Sequence, residues 1–397
     1  MNKKTYLDNA ATTPVDKKVL SAMKKYWAGD FANPSSIHSM GVSAKIVLQK
    51  VRKTIADLIG GHDREIIFTS GGTEANNLAI FGLVNNLLKY GKKYSEIHLI
   101  TTEIEHSSIL ECFKKLETLG AKIDYLNVDE NGFVNPKDLR EMVKPETLLV
   151  SVGYANSEIG TIQPIKEIIK EIRYSRKEFG REKIAMPYFH SDASQTGLYL
   201  NMNIEELGID LMTLDAQKMY GPKGVGALFV RDGIKIEPMF FGGDQERGLR
   251  SGTENISLIV GMAYAFELAR KNYKKESERL IKIRDEFFAG VKKFVPSAVL
   301  NGSMESRLPN NINISIPGKD GEMMVFRLDE AGIICSSASA CASGSGESVV
   351  VRKIAEKTSA SKSEIDDRAK STLRFSMGKD TKIVDIKKLL KILQKLQ

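Results

Sequence analysis

Cysteine is scarce: Cys112, Cys335 and Cys341 are the only three in 397 residues. They are too few and too unevenly spaced for a disulfide framework or a four-thiolate metal site, so reduced thiols and no bound metal are expected. Long apolar runs are missing as well. The stretch "ISLIVGMAYAF" is bracketed by Glu254 and Glu267, and no apolar segment follows the Lys3-Lys4 start, so no membrane contact is expected and the expected location is the cytoplasm. No basic block stands apart from matching carboxylates. The 58 basic residues are interleaved with 50 acidic ones, and the net charge of +8 reads as a solvated lysine-rich surface rather than a nucleic-acid site. No internal repeat, dinucleotide-binding fingerprint or Walker spacing is present.

What is present is alternation. Between residues 64 and 230 the strand-like runs "EIIFTS", "IHLITT", "IDYLNV", "LLVSVGY", "PYFHSDA", "DLMTL" and "GALFV" are separated by longer segments, among them 73–90, 106–119 and 164–179, with apolar residues at helical spacing. This predicts an α/β fold whose mostly parallel sheet is covered by helices on both faces. A chain 397 residues long and 42% hydrophobic exceeds what one core needs. The expected division is a large domain over 15–255 and a smaller α/β domain over 256–397 that the first fourteen residues join. The small domain holds a long charged helix to about Lys293, "NINISI", "GEMMVFRLDEAG" and a terminal helix from Lys382. Between Ile334 and Val349 the run "CSSASACASGSGESV" is too small and polar to bury much surface, so a mobile loop is expected. Cys341 near its middle then invites a reactivity reading.

Chemistry-bearing residues fall at strand ends, where ligands gather in such sheets. Lys218 follows "DLMTLDAQ" and precedes a Gly-Pro turn; a desolvated lysine there is a Schiff-base nucleophile or base, and the bland alternative is a turn lysine such as Lys223. Asp192 ends "PYFHSD", fit either to pair with a ring nitrogen or to cap the next segment. "FTSGGTEANNLAI" brings a Gly turn to a helix start, whose amides accept phosphate. His106 at another strand–helix junction is a stacking, acid–base or capping group. A lysine, an acid, a histidine and a phosphate-type turn at one sheet end fit pyridoxal 5'-phosphate.

The same stretches resemble a known family over nearly the full length. "YLDNAATTPV", "NPSSIHSMG", "EIIFTSGGTEANNLAI", "TEIEHSSIL", "EIGTIQP", "DASQTG", "KMYGPKGVGALFV", "RGLRSGTEN", "SSASAC" and "LRFSMG" occur in the order found in the cysteine desulfurases, class V aminotransferases of pyridoxal phosphate fold type I. The loop ahead of Cys341 is similar to that of the longer-loop group. The resemblance implies that Lys218 is the cofactor lysine and base, Asp192 holds the pyridine nitrogen, Gln195 the ring hydroxyl, and His106 stacks on the ring. Gly72, Thr73 and Gln217 would hold the phosphate, with Thr253 reaching over from the second subunit of a homodimer. Asn156 and Arg374 would receive L-cysteine, and Cys341 would take its sulfur as a persulfide, leaving alanine. The implied partner is an iron–sulfur scaffold protein or another sulfur acceptor, such as a tRNA-thiolating enzyme, with no direct nucleic-acid contact. Alternatives are a class V aminotransferase, a selenocysteine lyase or a non-catalytic scaffold relative.

Four positions depart from the family. Asp215-Ala216-Gln217 stands where Ser-Gly-His usually precedes the lysine, and Ser157 replaces the second Asn of "NNE". Two like charges at about 4 Å cost about 4 kcal/mol at an effective dielectric of 20. Asp215 is therefore expected to turn away from the phosphate and cap a backbone turn, the alternatives being that it is protonated or that a nearby cation offsets it.

Overall fold

The computed structural model describes residues 4–180, 186–337 and 346–396; Cys341 lies outside them, as does most of the expected mobile loop. The strands, in chain order, are β1 Thr5–Tyr6, β2 Ile66–Thr69, β3 His98–Thr102, β4 Lys122–Leu126, β5 Thr147–Ser151, β6 Tyr188–Asp192, β7 Leu211–Asp215, β8 Gly226–Val230, β9 Val299–Leu300, β10 Asn311–Ser315, β11 Ile333–Ile334 and β12 Thr372–Ser376. The seven strand-like runs become β2 to β8, a single sheet in the order β2-β8-β7-β6-β5-β3-β4. Only β8 runs against its neighbours β7 and β2; the other pairs are parallel.

Why these runs are continuously apolar follows from where alternate residues go. Ile66, Phe68, Ile100, Val150, Met212 and Phe229 enter one core cluster, and Ile67, Leu99, Leu149, Leu211 and Leu228 the other. Successive side chains on a strand point to opposite faces, so both faces are packed and no polar face is needed. The edge strand β4 is the exception, with a half-exposed "KIDYL".

The helices that cover the sheet and flank it are α1 Lys17–Ala28, α2 Ser39–Ile59, α3 Gly72–Lys89, α4 Ser107–Thr118, α5 Pro136–Met142, α6 Ile165–Glu178, α7 Ile204–Leu207 and α8 Ile256–Phe294. At 39 residues α8 spans about 58 Å, capped at its start by Asn255 accepting from Leu258 N. Its first turns pack Leu258, Ala265 and Leu268 against Val19 and Met23 of α1. Further along, Gly290 lets Leu390 of the last helix approach closely. The remaining helices are α9 Gly321–Glu330, α10 Val349–Ala355, α11 Lys362–Lys370 and α12 Ile383–Lys395. They accompany the antiparallel sheet β12-β10-β9 and the parallel pair β1-β11.

Strand direction decides where the chemistry collects. Two antiparallel steps through β8 leave β2 parallel to β7, so the carboxyl ends of β2, β3, β5, β6 and β7 share one edge. Residues that follow those ends, from Gly72 to Asp215, are thereby gathered although they lie up to 143 positions apart in the chain.

Candidate active site

A cavity of about 300 Å³ opens at that edge. It is lined by Gly72, Thr73, His106, Asn156, Asp192, Gln195, Gln217, Lys218 and Arg374, nine of the eleven residues expected from the sequence. Thr253 is exposed and stands outside it, and Cys341 is not among the described residues.

Lys218 ends a short 3-10 turn, Ala216–Lys218, entered directly from β7. Its Nζ donates to the carbonyls of Ala10 at 2.8 Å and Ala11 at 2.5 Å. The turn beyond it is held hard. Tyr220 sits at φ 60, a left-handed conformation costing a non-glycine residue on the order of 1 kcal/mol. Tyr220 N donates to Thr13 Oγ1 and its hydroxyl accepts from Lys379 N at 2.7 Å. A Cβ on Gly221 would lie 2.7 Å from the Ala216 carbonyl, so only glycine lets the chain double back here. Lys223, five residues past Lys218, is exposed as a plain surface lysine.

Asp192 closes β6. Its Oδ1 accepts from Ser194 N at 2.9 Å and its Oδ2 from Asn76 Nδ2 at 2.9 Å, so the capping and the site readings both hold for one side chain. His106 likewise caps α4, its Nδ1 accepting from Ser108 N at 3.1 Å, while the ring lines the cavity. Burial holds its imidazole below the usual value, which keeps it neutral near pH 7. Gln195 Nε2 donates to the Ala10 carbonyl at 3.0 Å.

Arg374 projects from β12. It pairs with Asp8 through Nη2 at 2.9 Å and donates from Nη1 to the Ser157 carbonyl at 3.3 Å. Its buried Nε has no partner among the described residues. Asn156 is more committed than expected: Nδ2 donates to the Ile104 carbonyl, and Oδ1 accepts from Glu158 N and Ile159 N. Both lone pairs are used on backbone, so its first task is to shape the loop after β5.

Asp215 corrects the expectation in part. It caps the turn, with Oδ1 accepting from Gln217 N at 3.2 Å. It does not turn away: the carboxyl lines the cavity, and Oδ2 stands 3.5 Å from the place a Cβ on Gly72 would occupy. As the last residue of β7 it shares a face with Thr213, and that alternation aims it into the site. Gln217 donates its side-chain amide to Asp215 Oδ2 at 3.1 Å.

Sequence reasoning missed Asn76, Glu105 and the carbonyls of Ala10 and Ala11. Asn76, buried on α3, bridges Ser108 Oγ at 2.8 Å and Asp192, and its own Oδ1 is unpartnered among the described residues. Its only trace in the sequence is an asparagine within a helical run, which by itself reads as solvent-facing. Glu105 lines the cavity beside His106, accepting from Gly153 N at 3.0 Å and from Thr102 Oγ1 at 2.7 Å, and burial pushes its carboxyl up to about 7. Cys335 and Cys112 are buried, and burial pushes both thiols up to about 12, which makes them inert packing groups.

A lysine tethered at a sheet's carboxyl edge, with a strand-end acid across from it, belongs to the fold type I enzymes that work with pyridoxal 5'-phosphate. The chain matches the model of the family "Aminotransferase class-V" over residues 5–389. It is 44% identical over 396 residues to "Cysteine desulfurase IscS" of Dictyoglomus turgidum, covering 100% of this chain and 95% of the relative. A solved "NIFS-LIKE PROTEIN" superposes with a TM-score of 0.88 at 32% identity, covering 99% of each chain. A structure titled "SspA in complex with cysteine" gives 0.77 at 33%, covering 94% of this chain and 99% of that one. The protein is a member of the class-V aminotransferase family, in its cysteine desulfurase branch, and an enzyme dependent on pyridoxal 5'-phosphate.

The residues present suit that cofactor. Gly71 leaves more than 4 Å clear where a Cβ would stand, so the first amides of α3, which have no partner within the helix, open onto space fit for a phosphate. The unpartnered Arg374 Nε and Asn76 Oδ1 sit in residues lining the same cavity. Only Asp215 is out of character.

Proposed function

We propose that this chain removes sulfur from L-cysteine, leaves L-alanine, and carries the sulfur on Cys341 as a persulfide. The carbon–sulfur bond of the substrate breaks and a sulfur–sulfur bond forms at Cys341; the substrate carbon gains the hydrogen that the thiols give up, so no outside oxidant is needed. The observation that carries the reading is the placement of Lys218 Nζ on the Ala10 and Ala11 carbonyls within one cavity that also holds Asp192, His106 and Arg374.

When bound, pyridoxal phosphate supplies an electron sink that makes the substrate Cα–H acidic. Lys218 would hold it, and its amine is the group placed to move a proton at the substrate Cα. Asp192, itself fixed by Asn76 and Ser194, keeps the ring nitrogen protonated. His106 would lie against the ring as a neutral group, Gln195 would serve the ring oxygen, and Gly72, Thr73 and Gln217 would serve the phosphate. Arg374 receives the substrate carboxylate with Asn156 shaping the wall beside it, a task consistent with the cysteine complex of the SspA relative.

The active form in this reading is a homodimer in which Thr253 of each subunit completes the other's phosphate site. Exposed apolar residues crowd the segment that would meet a second copy, Trp27, Phe31, Ile37 and Ile46, with Phe240 and Phe241 on the loop that leads to Thr253. The division into 15–255 and 256–397 with 1–14 is part of the proposal, as are a cytoplasmic location and an iron–sulfur scaffold protein or other sulfur acceptor as the recipient. Among the described residues no helix is long and apolar enough to cross a membrane.

The test is an assay of sulfide and alanine from L-cysteine with a reductant present, alongside the visible absorption of bound cofactor. Lys218→Ala is expected to lose the visible band. Cys341→Ala is expected to keep it and to lose sulfide release; undiminished sulfide from that variant overturns the persulfide assignment.

A further inference from the structure

Asp215 is 6% exposed and stands where the resemblance usually shows a serine, its carboxyl lining the cavity beside the Gly72 end of α3. Its geometry leaves little room for escape. Oδ1 is tied to Gln217 N, Oδ2 to the Gln217 amide, and Oδ2 also faces the Gly72 end of α3, beside Ser194 Oγ, which lies 3.1 Å from the same missing Cβ. Swinging out would break the cap and strand Gln217.

The charges around it do not cancel a carboxylate and a phosphate together. From its own turn Lys218 faces Asp215; from the end of β6 comes Asp192, a second acid, and from the start of α4 comes His106. On α3 the neighbours are Gly72 and Thr73, while Glu74 is held by Arg250 at 2.9 Å. Across the sheet β8 offers Gly226, which carries no charge. Among the described residues the cation of this set is Lys218, and Lys218 is the residue that bonds to the cofactor itself, so it cannot also be assigned to neutralise Asp215.

We infer, on the reading proposed above, that Asp215 serves the cofactor's phosphate as a neutral carboxylic acid, donating its O–H as a serine would. Capture of the cofactor is then coupled to uptake of one proton at this residue. Burial already raises the Asp215 carboxyl above its ordinary value in the cofactor-free protein, with Asp192 pushing in the same direction, and a phosphate dianion beside it raises it further. The sign follows: a site whose bound form holds the extra proton binds at full strength below the free-state pKa of Asp215 and loses affinity above it, at most about tenfold per pH unit. The enzyme would thus release its cofactor more readily in alkaline conditions than a serine-bearing relative.

The experiment is an equilibrium titration of the cofactor-free full chain with pyridoxal phosphate, read by absorbance, from about pH 5 to about pH 9, for the wild type and for Asp215→Asn. Asparagine keeps the cap on Gln217 N and a donor toward the phosphate but carries no titrating proton. Lys218 and the cofactor's own phosphate titrate in both proteins, so the ratio of the two dissociation constants isolates Asp215. That ratio is expected to rise with pH, approaching about tenfold per unit in its steepest part. Inorganic phosphate as a competitor is expected to show the same pH-dependent ratio, a readout that needs neither Lys218 chemistry nor turnover. Asp215→Ser, checked by its thermal melt, repeats the comparison should the asparagine variant fold poorly. A ratio constant across the range overturns the inference while leaving the enzyme reading intact. Failure of every protein to take up cofactor at any pH overturns that reading and this one with it.

Discussion

A buried acid next to the reaction cavity has a measurable signature even where it touches nothing that reacts. Glu105 in the folded protein titrates near 7 against an ordinary 4.5 because burial disfavours its charge more than Gly153 N and Thr102 support it. Between those two values the native state holds a proton that the unfolded chain has lost. Stability is therefore full below about pH 4.5, falls as pH rises, and is lower by about 3 kcal/mol once pH exceeds 7. Glu105→Gln removes that slope. Unfolding in urea at acid and at mildly alkaline pH is expected to show the variant gaining on the wild type by about that amount. Of the site residues, those in a strand–turn–helix context, such as Lys218, Asp192 and the Gly72 turn, were legible because their backbone setting implied a ligand. Asn76 and the Ala10 and Ala11 carbonyls were not, since backbone acceptors have no letter in the sequence and an asparagine inside a helix reads as solvent-facing until its neighbours are known. Asp215 was legible as an anomaly, but its direction was a property of strand alternation that the anomaly overshadowed.

The elements themselves followed the hydrophobic pattern closely. β2 to β8 were readable because strands buried on both faces leave uninterrupted apolar runs, and α8 because its helical spacing persists for ten turns. The pairing order was not readable, nor was the reversal of β8, since no local feature of "GALFV" distinguishes an antiparallel neighbour from a parallel one. One tertiary lock between elements was equally hidden. Arg52 of α2 grips Glu246 with both guanidinium nitrogens, at 2.6 and 2.5 Å, and Glu246 also accepts from Phe68 N of β2 at 2.9 Å. The pair holds Glu246 and Arg247 at φ 47 and 61, shaping the loop that leads to Thr253. Glu246→Ala leaves a buried guanidinium without its anion and is expected to cost about 3–5 kcal/mol in urea unfolding. Cofactor affinity is expected to fall as well, because the loop loses its anchor.

At the scale of the whole molecule, the exposed aromatic and aliphatic side chains on α1, on α2 and at Phe240 and Phe241 are more than a lone soluble subunit usually carries together. Sedimentation is expected to find a dimer, and Phe240→Asp with Phe241→Asp to yield monomers; under the proposed homodimer these hold cofactor more weakly, because each would lose the other's Thr253. A dimer unaffected by the double substitution would remove that loop from the interface.

The resting place of Lys218 is built by residues 208 and 207 positions earlier in the chain. Asn9 and Ala10 are themselves fastened to Ser376 on β12, and β1 lies against β11. A newly made polypeptide therefore cannot finish its cofactor pocket as the sheet emerges from the ribosome. The Asn9–Ala10 segment must wait, through more than 360 residues of synthesis, for the strand it docks on. During that interval the lysine turn lacks the finished seat that the Ala10 and Ala11 carbonyls give it.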